Sequence, residues 1–305
     1  MNFLTMEYFI AVAAKGNITK AAEELHITQQ TLSAHIAALE EELDCQLIIR
    51  SKPLELTYAG SVFMDYAMNI YESYQSMWNE FNDLTFNQRG KLLLGVNYTR
   101  SYSIMPQIIE AFQSQYPNIE VRMTEGVNAF LHRSLINKDI DLAIARFPSY
   151  LPGVEICDFY NEEIVMCVPE KLMESVEMPA GDYVEELSVF RSCPFVLGSS
   201  YDIAGQVSRN MITKAGFMPI VKAQSNNVGT LLYLCIHNIG ICFCPEIFVQ
   251  TTLSREQLRH IRIFHLKTDK IEANYPIRFG YRKTSYQWKI ILEFIRIAKE
   301  VEIKP

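Results

Sequence analysis

The stretch from Ile18 to Leu43 constrains the fold more than any other part of the chain. In its second half, apolar residues stand at positions 32, 36, 39 and 43, in steps of four, three and four. This spacing places one apolar stripe along an α-helix. In its first half, two alanines at 21 and 22 and a leucine at 25 predict a shorter helix that another helix can cross closely. Because only His26 and Ile27 separate the two halves, the stretch indicates a helix-turn-helix.

Threonines precede both helices. Thr19 and Thr28 are the predicted N-caps, because a threonine hydroxyl can accept a free backbone N–H at a helix start. A further helix from Phe3 to Ala14 supplies apolar side chains to the same core. The N-terminal residues are therefore predicted to form a three-helix bundle.

The face opposite the apolar stripe of the third helix is small and polar. At about 100° per residue, the helix turns Gln29, Gln30, Ser33, Ala34 and Ala37 to that side. Glutamine can bond bidentately to adenine, serine can meet several base edges, and alanine can contact a thymine methyl group. The spacing alone leaves two interpretations open, a DNA-reading face and a solvated face of a bundle.

A short hairpin is predicted after the third helix. The segments 46–50 and 55–57 have the composition of strands, and a basic, proline-containing tip joins them. Arg50 and Lys52 are placed there to meet phosphates or a narrow minor groove. Thr57 is predicted to cap a long following helix.

Together these features resemble the N-terminal domain of LysR-type transcriptional regulators. The resemblance covers residues 3 to 60 almost without gaps, and it rests on F-x-A-V-A-x-x-G-x-I-T-x-A-A-x-x-L-x-I-T-Q-x-x-L-S-x-x-I-x-x-L-E-x-x-L, followed by L-I-x-R and L-T-x-A-G. It implies that the third helix is the recognition helix and that the hairpin contacts the DNA backbone, which favours the DNA-reading interpretation. The implied DNA contacts are Thr28, Gln29, Gln30, Thr31, Ser33, Ala34, His35, Arg50 and Lys52.

The charge of this domain departs from the family pattern. Residues 1–60 carry four Lys or Arg and eight Asp or Glu, a formal charge of −4, within a chain of net charge −7. The family often has a basic residue where this chain has Ala34 or Ala37. We therefore expect weak non-specific DNA binding with a shallow salt dependence for each protomer. We also expect Glu40, Glu41, Glu42 and Asp44 to keep the end of the recognition helix away from phosphates.

Residues 61–86 predict one long amphipathic helix. They contain no proline, and their apolar or aromatic residues recur every three or four positions. A helix of about 25 residues spans nearly 40 Å, too long to bury against one small bundle. Two uses remain open, pairing with a second copy, as the resemblance implies, and packing within the same chain. Residues 87–90 are the predicted hinge.

Beyond residue 90 the pattern changes to alternating strands and helices, which is typical of a parallel α/β unit. Two similar lobes with return crossings resemble the effector-binding domain of LysR-type regulators, itself similar to periplasmic solute-binding proteins. The segments Y-P-N-I-E-V, D-L-A-I-A and I-G-I-C-F-C-P carry this looser resemblance. Strands are predicted at 91–96, 119–124, 141–145, 164–168, 195–197, 220–223, 241–244, 261–266 and 277–281, and helices at 104–116, 130–137, 204–215, 228–237 and 287–300.

The predicted fold class is α/β overall. It consists of an N-terminal all-α winged helix-turn-helix, a long linker helix, and a C-terminal two-lobed α/β domain like periplasmic binding proteins. The predicted bounds are 1–58 for the DNA-binding domain, 59–89 for the linker and hinge, and 90–305 for the effector-binding domain. Within the last, one lobe comprises 90–162 and 268–305, and the other comprises 163–267.

A ligand is expected where strands of the second domain end and helices begin, because free N–H groups collect there. Arg100 and Arg146 favour an anion or a carboxylate. Tyr102, Phe147, Tyr150 and Tyr201 point more weakly to an aromatic acid. The alternative is that the hydroxyl groups in these loops are only helix caps and the tyrosines only surface residues. The predicted effector contacts are Thr99, Arg100, Ser101, Tyr102, Val127, Asn128, Arg146, Tyr201, Asp202, Asn226 and Asn227.

Other functional classes receive less support. The chain lacks the short motifs of hydrolases, P-loop NTPases, zinc proteases and dinucleotide-binding enzymes, so we expect no enzyme activity and no cofactor. A cluster of Cys235, His237, Cys242 and Cys244 has metal-ligand residue types, but packing in the core explains it better. Thiol sensing by Cys157 or Cys193, and a cytosolic solute binder with a vestigial DNA-binding head, remain alternatives.

The sequence also predicts a cellular setting and partners. The seven cysteines lack the dense, even spacing of secreted scaffolds, and no signal peptide or apolar run long enough to span a membrane is recognisable, so we expect a cytoplasmic protein with reduced thiols. The expected partners are double-stranded DNA with an inverted repeat, a small-molecule effector, further copies of the chain in a dimer or tetramer, and RNA polymerase.

Overall fold

The structure is a computed structural model that describes residues 2–51, 53–84, 90–200, 202–267, 273–283 and 288–303. The chain divides into two compact units, Met1–Asn87 and Gln88–Pro305. None of the helices in these ranges combines the length and the apolar character that a membrane crossing needs.

The first unit is the predicted winged helix-turn-helix with a long helix after it. Its antiparallel hairpin pairs Ile48 with Leu56 and Ile49 with Glu55. Its elements are α1 (Phe3–Lys15), α2 (Ile18–Glu24), α3 (Gln29–Glu42), β1 (Ile48–Ile49), β2 (Glu55–Leu56) and α4 (Tyr58–Leu84).

Two local details of the first unit differ from the prediction. Asn17, not Thr19, caps α2, because the Asn17 side chain accepts the backbone N–H of Lys20 at 3.1 Å. Leu43 does not join the buried stripe, since α3 ends at Glu42 and Leu43 is 38% exposed. Thr28 and Thr57 cap α3 and α4 as predicted.

The core of the first unit joins its helices to the hairpin. Leu32, Ile36 and Leu39 of α3 are buried with Phe9 and Leu47. The predicted apolar stripe of α3 is therefore its packing face, up to Leu39.

Gly60 lets the start of α4 lie directly on the chain before β1. A Cβ atom at residue 60 would stand 2.0 Å from the carbonyl oxygen of Leu47. Thr57 strengthens this junction, since its hydroxyl donates to the Gln46 carbonyl at 2.7 Å. The long helix and the hairpin thus share one rigid joint.

The second unit is a mixed α/β domain. Its main sheet has the strand order β4-β3-β5-β12-β6-β11-β7, with β10 also paired to β6, and β8 and β9 form a separate parallel pair. The strands are β3 (Gly90–Val96), β4 (Ile119–Glu125), β5 (Leu142–Ala145), β6 (Val154–Pro169), β7 (Tyr183–Val184), β8 (Pro194–Leu197), β9 (Ile220–Gln224), β10 (Cys242–Pro245), β11 (Ile261–Leu266) and β12 (Asn274–Arg282). The helices are α5 (Tyr98–Ser103), α6 (Met105–Gln115), α7 (Asn128–Ile136), α8 (Glu170–Met173), α9 (Ile203–Lys214), α10 (Val228–Ile236), α11 (Glu246–Thr252), α12 (Arg255–Leu258) and α13 (Lys289–Glu300).

The predicted parallel unit of β3, β4 and β5 is part of a mixed sheet. In the main sheet β3 is parallel to both β4 and β5, and β11 is parallel to β7, whereas β12 lies antiparallel to both β5 and β6. The predicted strand at 164–168 is only the last part of β6. Up to Glu163 this strand pairs with β12, and from Ile164 onward it pairs with β10 and β11. One continuous strand therefore connects two sets of strands.

Candidate functional site

The exposed face of α3 carries the predicted small polar residues. Gln29, Gln30, Ala34 and Ala37 are exposed, and Ser33 is half-buried. The opposite face is anchored in the core through Leu32, Ile36 and Leu39. The face is therefore held in a fixed orientation by the packing behind it.

Three of the predicted DNA contacts also have structural partners. The Thr28 hydroxyl accepts the backbone N–H of Thr31 at 3.1 Å, and the two threonine hydroxyls lie 2.8 Å apart. The His35 ring packs edge-on against Tyr8, with 5.0 Å between the ring centres, and it is half-buried. These side chains hold the helix start and the contact between α1 and α3, so Gln30 and its neighbours offer the freer contact surface.

Glu40 has a role that the charge pattern did not indicate. Its Oε1 accepts the backbone N–H groups of Leu47 at 2.7 Å and Ile48 at 3.1 Å. Its Oε2 lies 3.9 Å from Nη2 of Arg50, whose side chain is 67% exposed. The Glu40 carboxylate thus ties the recognition helix to the hairpin, and its expected repulsion of phosphates stays a prediction. Lys52 lies outside the described residues.

The second unit contains a cavity of about 1730 Å³. It is bordered by the start of α5, the start of α7, and the loops that lead into α9 and α10, together with side chains of β6 and β12. Of the predicted effector contacts, the described ones that line it are Thr99, Arg100, Ser101, Tyr102, Val127, Asn128, Asp202, Asn226 and Asn227. Tyr201 lies outside the described residues.

Arg100 forms a buried ion pair with Glu162. Its Nε donates to Oε1 at 3.0 Å and its Nη2 donates to Oε2 at 2.6 Å, with 3% and 1% of the two side chains exposed. The hydroxyls of Tyr160 and Tyr275 also donate to this carboxylate, the former at 2.9 Å. We expected Arg100 to present a free guanidinium fork to an anion. The ion pair with Glu162 shows that it does not. Its Nη1 is buried in the cavity wall without a hydrogen-bond partner.

The surroundings of this pair shift the pKa values in a consistent way. Burial lowers the pKa of Arg100 and is the largest single effect, but the charge of Glu162, the neighbouring Tyr160 and Tyr275 and the hydrogen bond to Glu162 together outweigh it, so the pKa is raised. Burial, followed by the charge of Glu162, holds the pKa values of Tyr160 and Tyr275 well above their usual value. At neutral pH Arg100 is thus a cation and the two phenols are neutral.

Three other predicted residues lie elsewhere. The Arg146 guanidinium stands over the Tyr275 ring, 5.5 Å from its centre, and Arg146 does not line the cavity. Phe147 is buried against the ring of His132. Tyr150 is 75% exposed and away from the cavity. The expectation that these three residues border the cavity is therefore not met, because each side chain packs beside the cavity or lies on the surface.

The helix starts at the cavity are mostly capped by their own side chains. Asn97 accepts the backbone N–H of Thr99 at 2.9 Å, and Asn227 accepts that of Thr230 at 3.2 Å. Asp202 Oδ1 accepts the backbone N–H of Gly205 at 2.7 Å, while burial raises the pKa of this carboxyl against the opposing effect of its backbone hydrogen bonds. These ends offer a ligand fewer free N–H groups than the sequence suggested.

The sequence did not predict that Glu125, Glu162 and Tyr275 line the cavity. Glu125 ends β4, so the rule about strand ends could have found it. Glu162 and Tyr275 lie inside strands, and only their tertiary pairing brings them to the cavity.

The buried cysteines form a different group from the predicted one. The sulfur atoms of Cys167, Cys242 and Cys244 lie within 4.8 Å of one another in an apolar core, while His237 is exposed. Burial raises the pKa values of Cys157 and Cys193. Neither of those two thiols thus has the lowered pKa of a reactive cysteine.

Comparison with protein families identifies both units. Residues 3–61 match the model described as a bacterial regulatory helix-turn-helix protein of the lysR family, and residues 87–302 match the LysR substrate binding domain. A probable cat1 operon transcriptional activator of Acinetobacter lwoffii is 26% identical over 287 residues, which cover 92% of this chain and 90% of that protein. The regulator AlsR of Bacillus subtilis is 25% identical over 98% of this chain and 95% of its own length.

Solved structures agree on the fold. Full-length CbnR in complex with its target DNA has a TM-score of 0.63 at 23% identity, covering 98% of this chain and 99% of that chain. A full-length OxyR variant from Pseudomonas aeruginosa has a TM-score of 0.71 at 18% identity, covering 99% and 95%. The two family matches coincide with the two compact units of the chain. The chain belongs to the LysR family of DNA-binding, effector-responsive transcriptional regulators.

Proposed function

We propose that this regulator reads an inverted repeat through Gln29, Gln30 and Ser33 of α3, with the hairpin on the DNA backbone. The observation that carries this is the exposed small polar face of α3, which is held by a fully buried opposite face. Glutamine and serine at such positions can recognise base edges in the major groove. Arg50, exposed on the hairpin, supplies a phosphate contact that does not depend on sequence.

Two or more copies act together in this proposal. Exposed apolar and aromatic side chains follow α4 at Tyr66, Ile70, Met77, Trp78 and Phe81. A helix with such a surface gains stability when a second copy covers it. A dimer or tetramer of this kind presents two recognition helices to the two halves of an inverted repeat, and it multiplies the weak affinity of one acidic head.

The second unit is proposed as the control element. A small effector binds in the cavity beside Arg100 and changes the equilibrium between two arrangements of the heads on DNA, which requires different affinities for the two arrangements.

The proposed domain bounds are 1–58, 59–89 and 90–305, with lobes 90–162 plus 268–305 and 163–267. The change in β6 pairing between Glu163 and Ile164 supports the lobe boundary. We place the protein in the cytoplasm with the genome, where it contacts RNA polymerase.

The reading of bases can be tested with the full chain and DNA taken from beside its own gene. Binding is measured by fluorescence anisotropy on this DNA and on single-base variants. Gln30→Ala relaxes base choice by about 1 to 3 kcal/mol at one position in each half-site, whereas Arg50→Ala weakens all sequences equally. Gln224→Ala, an exposed glutamine of the second unit, is the matched control. Equal loss on all DNA sequences for Gln30→Ala would refute the assignment of α3 as the base reader.

A further inference from the structure

The cavity of the second unit carries an excess of negative charge. Among the described residues that line it, Arg100 is the one Lys or Arg, while Glu125, Glu162 and Asp202 are acidic. Glu162 already neutralises Arg100 through two hydrogen bonds. Two carboxylates remain without a cation among these lining residues, so a ligand that brings only negative charge meets repulsion here.

Unpartnered polar atoms define what a ligand must supply. Arg100 Nη1 is a donor in a side chain that is 3% exposed, and it has no acceptor. Asp202 Oδ1 accepts the backbone N–H of Gly205, while the buried Oδ2 has no hydrogen-bond partner. The buried hydroxyls of Ser103 and Thr252 on the same cavity wall have no partner either. Buried groups of this kind are costly to leave unpaired, so they favour a ligand that pairs with them.

The charged groups of the cavity wall require ligand groups of opposite sign. Arg100 Nη1 calls for an acceptor, and a carboxylate is the acceptor that pairs best with a guanidinium. Asp202, with Glu125 on the same wall, calls for a cationic donor such as an ammonium group. An uncharged sugar would satisfy the hydrogen bonds but would bring no positive charge to Glu125 or to Asp202, on which Arg209 outside the cavity wall also acts. The apolar part of the wall, which includes Tyr102 and Phe248, can accept the remainder of the ligand.

We propose that the cavity binds a zwitterion of the amino-acid class, with the carboxylate of the ligand against Arg100 Nη1 and its ammonium group against Asp202 and Glu125. This inference rests on the proposed role of the cavity as the effector site. It replaces the simple carboxylate that the two arginines suggested from the sequence. The proposal predicts that removing either charge from the ligand greatly lowers its affinity for the cavity.

The test uses the full-length protein and three matched sets of compounds. Each of the common L-amino acids is compared with its N-acetyl derivative, which lacks the ammonium charge, and with its amide, which lacks the carboxylate. Thermal shift identifies the binding amino acid, and calorimetry then measures the dissociation constants. We expect at least one amino acid to bind, and both of its derivatives to bind at least tenfold more weakly.

Variants assign the ammonium contact. Asp202→Asn keeps a side-chain oxygen for the helix cap, since asparagine caps helices as well as aspartate does. It is expected to weaken binding of the amino acid about tenfold and to leave binding of the N-acetyl derivative nearly unchanged. Glu125→Gln, at an exposed position outside any helix cap, is expected to act in the same direction, whereas Asp182→Asn, away from the cavity, is the control without effect.

Several results would overturn the proposal. These are the absence of binding by any amino acid, equal binding of an amino acid and its N-acetyl derivative, and equal loss of both ligands in Asp202→Asn and Glu125→Gln. Failure of the wider function is seen separately, as the loss of sequence-specific DNA binding in the anisotropy assay. A protein that binds its DNA but responds to a simple carboxylate would retain the proposed function and refute the zwitterion.

Discussion

Removing the Glu40 side chain separates two opposite accounts of the acidic recognition helix. If Glu40 repelled phosphates, Glu40→Ala would tighten DNA binding. In the structure its Oε1 instead accepts the N–H groups of Leu47 and Ile48, two residues that are 1% and 3% exposed. An unpaired buried donor costs about 1 to 3 kcal/mol. Because the Glu40 side chain is 14% exposed and water reaches part of the junction, we expect a loss of about 2 to 4 kcal/mol for the pair.

The assay needs a signal from the first unit alone. The chain has two tryptophans, Trp78 in α4 and Trp288 in the second unit, so urea unfolding is followed by fluorescence in a Trp288→Phe background. Hydrogen exchange is measured on the same samples for the backbone amides of Leu47 and Ile48, which donate to the Glu40 carboxylate.

The control for Glu40→Ala is a neighbouring exposed glutamate. Glu41→Ala removes the same charge from the same helix, and it is expected to change stability by less than about 0.5 kcal/mol. Glu40→Gln keeps one oxygen acceptor and is expected to lose about 1 to 2 kcal/mol, since hydrogen bonds to a charged acceptor are stronger than those to a neutral one. If Glu40→Ala matches Glu41→Ala in stability, or binds DNA more tightly than the parent protein, the reasoning is refuted.

Three further expectations follow from other contacts. Arg100→Met leaves the buried Glu162 charge without its cation and should cost about 3 to 5 kcal/mol in denaturant unfolding, while adding Glu162→Gln should recover part of that loss; a further additive loss would contradict this. Gly60→Ala places a methyl group 2.0 Å from the Leu47 carbonyl oxygen, so it should cost about 3 kcal/mol or more, and a fully stable variant would contradict the tight junction. The logarithm of DNA affinity should fall with the logarithm of salt concentration much less steeply than the slope of about −10 known for strongly basic repressors, and a slope of that size would contradict the expectation from the acidic head.

The first unit was largely predictable because its signals are local. The steps of three and four in α3, the threonine before it and the short turn each involve residues within one or two helical turns. The errors are of the same local kind. Asn17 and Thr19 are both good N-cap residues two positions apart, and the choice between them depends on where α2 begins.

The second unit was less predictable because its sheet depends on distant pairing. The first part of β6 mixes half-buried and exposed residues and lacks the apolar run by which its last part was recognised. Its partner β12 lies more than 100 residues away in sequence. Without that pairing, nothing in the sequence indicates that an antiparallel strand separates β5 from β6.

The binding cavity shows the same limit at the level of single residues. The rule that ligands collect at the ends of strands predicted the loops around the cavity, and nine of the predicted residues line it. It did not identify the charge that Arg100 offers, because Glu162, 62 residues further along the chain, supplies the partner. A count of arginines therefore pointed to an anion, whereas Glu162 neutralises Arg100 and the acids Glu125 and Asp202 make the net charge of the wall negative.

The acidic residues of this chain have two different physical meanings that their number does not separate. A carboxylate in solvent contributes to the field that a phosphate meets at distances up to the Debye length, about 8 Å at physiological salt. A carboxylate that accepts backbone N–H groups, as Glu40 does, has its charge partly compensated at the junction it forms. A carboxylate in the cavity wall, as Asp202 is, acts on whatever enters the cavity. The formal charge of −4 in the first 60 residues therefore overstates the repulsion that DNA meets at α3, and the salt dependence of Glu40→Ala against Glu41→Ala measures by how much.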